Sequence, residues 1–175
     1  LAVSFGQVQG FKLKDAYMYL FTTICQRLAS QVEAECSLTE WRDVFEILVY
    51  KRASELATKQ KYMPSAIRLI ASSLLISSDD FFHENWFSVA ELIIWRIRDR
   101  MLEGGSFALV NQIIWVYLYR YPEAWATMGN RVELLSKQII PLSHILDKQL
   151  LIQYGCLCGT KMPRLCVRVF IMPLM

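Results

Sequence analysis

Histidine is nearly absent from this chain, with only His83 and His144 present. Neither stands beside a cysteine, and the adjacency of Ser143 and His144 does not by itself make a nucleophile and base pair, so both read as structural or surface residues. Glycine and proline are scarce, at seven and five residues, which excludes long flexible linkers. The adjacent pair Gly104-Gly105 lacks the spacing and the preceding strand of a phosphate-binding loop. Charge of either sign is modest. The net value of +3 is too small and too evenly spread to predict nucleic-acid binding. Arg96, Arg98 and Arg100 are offset by Glu91, Asp99 and Glu103, as on a solvated helix face. No uncharged run reaches the roughly 18–20 residues that a membrane span requires. The longest, Gly104 to Tyr119, carries Ser106, Asn111 and Gln112 and reads as a core helix. Leu1 to Gly10 shows no basic and then apolar signal-peptide pattern.

Cysteine is present but unpatterned. Five residues (Cys25, Cys36, Cys156, Cys158 and Cys166) form no disulfide framework, so a reducing compartment is expected, with the cytoplasm as the default location. Cys156, Cys158 and Cys166 make the one candidate metal cluster. Zinc sites space paired cysteines two to four apart and need a fourth ligand, so coincidence is the better reading. No metal, cofactor or catalytic residue is expected.

What the chain does have is apolar residues, 54% of its 175. A chain of this length buries roughly 70% of its unfolded surface, which fits a globular or repeat protein. Beginning at Leu1 rather than Met, it is expected to be a piece of a longer chain. Helical periodicity dominates up to about Gln153 and predicts an all-α fold. The first helix is expected over Lys14 to Val32. Ser37-Leu38-Thr39-Glu40 reads as a capping box opening a helix to about Lys59, with Trp41, Val44, Phe45, Leu48, Val49 and Leu56 on one face. Met63-Pro64 starts the next, since proline is tolerated in the first turn. Ala66, Ile67, Leu69, Ile70, Leu74 and Leu75 fill its core, and it ends near Ser77.

Ser78-Asp79-Asp80 reads as an N-cap with favourable negative charge rather than as a catalytic carboxylate pair. A short helix through Phe81-Phe82 should lead into a longer one from about Trp86 to Leu102. There Val89, Ile93 and Ile97 form one stripe, with Leu92 and Trp95 on another side. Gly104-Gly105 serves as its stop signal. The following stretch, Phe107 to Arg120, is apolar in every helical direction, which predicts burial on several sides. On that reading Trp115→Ala costs about 3–5 kcal/mol. The aromatics Trp86, Trp95, Trp115, Tyr117 and Tyr119 recur at helical spacing among Ile and Leu, so packing is favoured over base stacking. Tyr121-Pro122 ends this helix. Two more are expected, over Ala124 to Ile140 and Ser143 to Gln153.

Trp41, Trp86 and Trp125, each near an expected helix start, recur near the roughly 40–47-residue period of HEAT and armadillo units. The expected architecture is therefore a fragment of an α-solenoid of stacked helix pairs, in which middle units pack against both neighbours. Residues 1–154 form the helical-repeat region. Residues 155–175 differ: they hold three cysteines and no acidic residue, and Leu165 to Ile171 reads as a strand.

Four stretches carry a resemblance. They are the Trp41 helix, Lys59-Gln60-Lys61-Tyr62-Met63-Pro64, the run Ser77-Ser78-Asp79-Asp80-Phe81-Phe82-His83-Glu84-Asn85-Trp86, and Ile114-Trp115-Val116-Tyr117-Leu118-Tyr119-Arg120. In this order they resemble the N-terminal helical region of the Furry family of cell-morphogenesis proteins, over about Leu38 to Leu150. Tyr121 to Trp125 departs from the family's polar pattern, and no family pattern is visible after about Tyr154. The resemblance implies a non-catalytic scaffold that organises NDR-type kinases and MOB co-activators in polarised growth and morphogenesis. It also implies a location at the cell cortex. No binding residue is carried over, because the matching motifs read as packing motifs. The alternative is another HEAT-type adaptor, such as a transport or trafficking complex subunit. An enzyme is the third class, with no constellation to support it.

Overall fold

The structure, a computed structural model, describes residues 7, 9–30, 42–123 and 125–159, apart from the side chains of 11, 29–30, 125–129 and 159. Every regular element among them is helical. In chain order these are α1 (Phe11–Ser30), a π-helix (Phe45–Tyr50), α2 (Lys51–Ala57), α3 (Met63–Ile76) and α4 (Asp79–Arg98). A 3₁₀ turn (Gly104–Ser106) leads into α5 (Phe107–Arg120), then α6 (Trp125–Ile139), a second 3₁₀ turn (Ile140–Leu142) and α7 (Lys148–Gly159). The chain divides into two compact units between Trp86 and Phe87, so the boundary falls inside α4. None of the described helices is long and apolar enough to cross a membrane. The expected capping box Ser37 to Glu40, Trp41, the expected strand Leu165 to Ile171 and Cys166 lie outside the described residues.

In the first unit α3 is the centre. It packs against α1, α2 and the π-helix, and its small residues Ala66, Ala71, Ser72 and Ser73 are buried with the larger Ile67, Leu69, Ile70 and Leu74. Pro64 sits in its first turn as expected. From α1, Met18, Phe21 and Cys25 join this core, and Phe21 meets Phe45 edge-on at 5.8 Å.

The helix leading to Ala57 departs from the expected face. Phe45, Val49 and Ala53 are buried, whereas Leu48, expected among them, is 44% exposed. The π-helix is the reason. Its i to i+5 bonding widens the turn, so residues four apart line up and the i+3 position rotates outward. The same stretch places Glu46 to accept the Ser78 backbone N–H (2.5 Å). Ser78 Oγ in turn accepts from Phe81 N–H (3.4 Å), so the expected cap opens α4.

The expected break between Phe82 and Trp86 is absent, since α4 runs unbroken from Asp79 to Arg98. Nothing in that stretch breaks a helix, and Asn85 is accommodated by donating Nδ2–H to the Phe81 carbonyl (2.8 Å). Trp86 therefore lies well inside a helix rather than near its start, fully buried. Val89, Ile93 and Ile97 form the predicted buried stripe.

Gly104-Gly105 is not the stop of α4. The helix closes earlier, with Arg100 in the left-handed region at φ 57°. Arg100 N–H donates to the Ile97 carbonyl (3.0 Å) and Met101 N–H to the Arg96 carbonyl (2.8 Å), the pairing of a Schellman cap. Gly104 serves a different purpose: a Cβ there would collide with the Ile145 backbone oxygen, so only glycine allows that approach.

In the second unit α5 packs mainly on α7 and on the 3₁₀ turn before it. Phe107, Val110, Ile113, Ile114 and Tyr117 are buried, and Phe107 contacts Tyr154 at 5.7 Å. The all-round burial expected for α5 does not occur: Trp115 is 56% and Tyr119 69% exposed. The last helix also starts later than expected, at Lys148, because Asp147 caps it. Its Oδ1 accepts from the N–H groups of Gln149 (2.7 Å) and Leu150 (3.3 Å). Ser143 and His144 remain in the preceding turn, and α7 runs through Cys156 and Cys158 to Gly159.

Candidate functional site

The chemistry-bearing side chains weighed in the sequence are dispersed by these helices. His83 is exposed on α4 and His144 is exposed in the turn ahead of α7. Asp79 and Asp80 lie exposed in the first turn of α4, where the helix dipole favours them. Cys156 and Cys158 are two apart on one helix, which sends them to different sides: Cys156 is exposed and Cys158 buried. Among the described residues no group of three or more His, Cys, Asp or Glu is placed to hold a metal ion.

Two buried polar groups among the described residues, Tyr154 and Cys25, sit within packed cores. Tyr154 lies fully inside the second unit, its hydroxyl 2.9 Å from Ser136 Oγ, while Ser136 Oγ donates to the Val132 carbonyl (2.8 Å). Burial pushes the Tyr154 phenol well above its ordinary range. Cys25 sits 3.9 Å from Ser73 Oγ, and burial pushes its thiol up to about 12, so it stays protonated and unreactive near neutral pH.

Among the described residues the surface offers a groove of some size. Helices α5 and α7 enclose an open groove of about 720 Å³, within the roughly 300–1,000 Å³ of binding clefts. Trp115, Leu118 and Tyr119 form its α5 side and Gln153, Cys156 and Leu157 its α7 side. Residues four apart on a helix share a face; accordingly the Trp115 and Tyr119 rings stack in parallel, centroids 5.7 Å apart and planes within 8°. Asn111 lies at the base, 6% exposed, its Nδ2–H donating to the Leu150 carbonyl at 2.9 Å and tying α5 to α7. Its Oδ1 is buried without a donor.

Sequence reasoning placed Trp115 and Tyr119 in the core and overlooked Asn111, Gln153 and Leu157. The signal was present in Gln112, a polar residue that shares the α5 face with Trp115 and Tyr119. A smaller pocket of about 280 Å³ lies where Met101 to Gly104 pass Ile145.

The described residues thus define a class: an all-helical, helix-on-helix protein with an apolar groove between two of its helices. The family follows from comparison with known proteins. The cell morphogenesis N-terminal family matches residues 1–175, and this chain belongs to that family, the N-terminal region of Furry-type cell-morphogenesis proteins. The chain is 22% identical over 180 residues to the cell polarity protein mor2 of Schizosaccharomyces pombe, covering 98% of this chain and 8% of that protein. It is 30% identical over 139 residues to the cell morphogenesis protein PAG1 of Saccharomyces cerevisiae, covering 78% of this chain and 6% of that protein. It therefore spans less than a tenth of either relative. The family match extends past Tyr154, where the sequence motifs show no family pattern. No solved structure matches.

Proposed function

We propose that this chain is a non-catalytic helical scaffold segment serving cell morphogenesis and polarity, and that it acts by presenting helix surfaces to protein partners. The observation that carries the reading is the family match along all 175 residues. The names of the two yeast relatives agree with it. A packed helical core with dispersed histidines and cysteines fits a binding role better than a reaction. In this reading the helices belong to a HEAT- or armadillo-like stack, as the family resemblance implies, although Trp86 lies inside α4 and not at a helix start as the repeat spacing expected. The partners are an NDR-type kinase and its MOB co-activator, and the place of action is the cytoplasm and the cell cortex at sites of polarised growth. Support for these finer points comes from the family resemblance.

Two measurements test the proposal. Deleting this segment from the full-length protein is expected to disturb cell shape, and copurification in mild salt is expected to recover an NDR-type kinase or a MOB protein. Normal shape after deletion would remove the morphogenesis role. Repeated absence of both partners would remove the kinase part alone.

A further inference from the structure

We propose that one end of the first unit docks on an anionic membrane surface through Lys12, Lys14, Lys59 and Lys61. This adds a surface and a ligand class to the scaffold reading and does not depend on its kinase partners. Helix direction places the four lysines together. Asp15 on α1 accepts a hydrogen bond from the Ser65 hydroxyl on α3 (2.5 Å), and further along both helices Cys25 lies 3.9 Å from Ser73 Oγ. The two helices therefore run side by side in the same direction, and their first turns share one end of the unit. Lys14 Nζ lies over the Tyr62 ring at 5.5 Å, which sets the turn before α3 against the start of α1. Lys12, Lys59 and Lys61 are exposed at that end.

Charge is concentrated here rather than balanced. Residues 9–30 and 51–77 hold eight Lys or Arg against two acids, in a chain whose net charge is only +3. Both acids are engaged locally, Asp15 with Ser65 and Glu55 with Arg52 at 2.6 Å. Residues 1–10 and 160–175 contain no Asp or Glu, so neither stretch supplies a counter-charge. Helix stability does not explain the lysines. Neither α1 nor α3 has an acid in its first turn, where the dipole favours one, and Lys12 opposes that dipole. A sequence that works against local stability in this way is expected at a functional surface.

Three features select a membrane as the occupant. First, peptides are recognised along sheet edges or in grooves, and these lysines line neither groove described above. Gathered where two parallel helices begin, they suit a plane of charge. Second, Leu13, between Lys12 and Lys14 in sequence, is 53% exposed, and Pro64 is exposed as well. Such side chains enter the headgroup boundary while neighbouring ammonium groups stay with the phosphates. Basic clusters of roughly four to eight residues are the size that anionic leaflets attract. Third, the Tyr62 face that could stack a nucleic-acid base is covered by Lys14.

The test is co-sedimentation of the 175-residue chain with vesicles of phosphatidylcholine, alone or with about a third phosphatidylserine. Binding is expected to the phosphatidylserine vesicles only, and it should weaken as salt rises. Lys12→Gln with Lys59→Gln should weaken it at least tenfold. Lys137→Gln with Lys148→Gln makes the same change of charge in the second unit and should alter binding less than about twofold. All four side chains are exposed, so circular dichroism should be unchanged in both variants. Equal binding to the two kinds of vesicle, or equal loss in the two variants, would overturn the proposal. So would a chain that ignores the vesicles and binds polyglutamate or RNA instead. Failure with vesicles leaves the morphogenesis reading standing, and failure to recover a kinase leaves the membrane surface standing.

Discussion

Helices α3 and α5 are each 14 residues long and rich in apolar side chains, yet the fold uses them differently. In α3 even Ser72 and Ser73 are buried, because α1, α2 and the π-helix pack around it. In α5 the main partners are α7 and a short 3₁₀ turn, and Trp115 and Tyr119 are left in solvent. Apolar content alone does not say which helix becomes the core. Side-chain size contributes to the difference. Alanines and serines let neighbours approach α3 closely, while the large rings of α5 extend beyond its packed face and build one wall of a groove.

Substitutions can break or sharpen this contrast. The largest effect is expected at the centre of α3, where Leu69→Ala should cost about 2–5 kcal/mol in a urea melt, as cavities in closed cores do. A smaller loss would mean that α3 is less enclosed than its neighbours indicate. Next comes pH, which tests both interiors. Cys25 in the first unit and Tyr154 in the second are raised by burial from ordinary values of 9.0 and 10.0. The folded chain therefore keeps protons that the unfolded chain releases, and stability should fall as pH rises above about 9. A melting temperature flat to pH 11 would contradict that burial.

Asp147→Ala removes the cap of α7, the second wall of the groove, and should cost about 0.5–2 kcal/mol. A loss confined to α7 amides in hydrogen exchange would show that this wall opens separately. Arg100→Gly should raise stability by about 0.5–1 kcal/mol, because glycine adopts the left-handed cap without strain. The smallest change is expected for Trp115→Ala, below about 1 kcal/mol, since it gives up a surface stack and no core volume. A loss of about 3–5 kcal/mol would instead restore the enclosed α5 that its composition suggests.

Much of the helical skeleton was legible because its signals are local. Pro64 marks the start of α3, Ser78 the cap of α4, Pro122 the end of α5, and the Val89, Ile93 and Ile97 stripe the inward face of α4. The misreadings share a different origin. Gly104-Gly105 looks like a stop, but Arg100 holds the cap and Gly104 answers to Ile145, remote in sequence. Leu48 fits the core face of an α-helix and leaves it when the turn widens. Trp115 was assigned to the core because large apolar residues usually go there, and the groove it lines needs Gln153, Cys156 and Leu157 from another helix.

Periodicity and capping chemistry were thus sufficient for the helical class of the described residues and most of their helix starts, and the family came from the resemblance of four stretches, since each depends on residues near one another in the chain. Which helix is enclosed, which aromatic faces water and where a groove opens depend on contacts between residues far apart in the chain. An apolar stripe states that a face favours burial. The helices available to cover it are settled only when the chain packs, and at Trp115 and Tyr119 the packing leaves that face open.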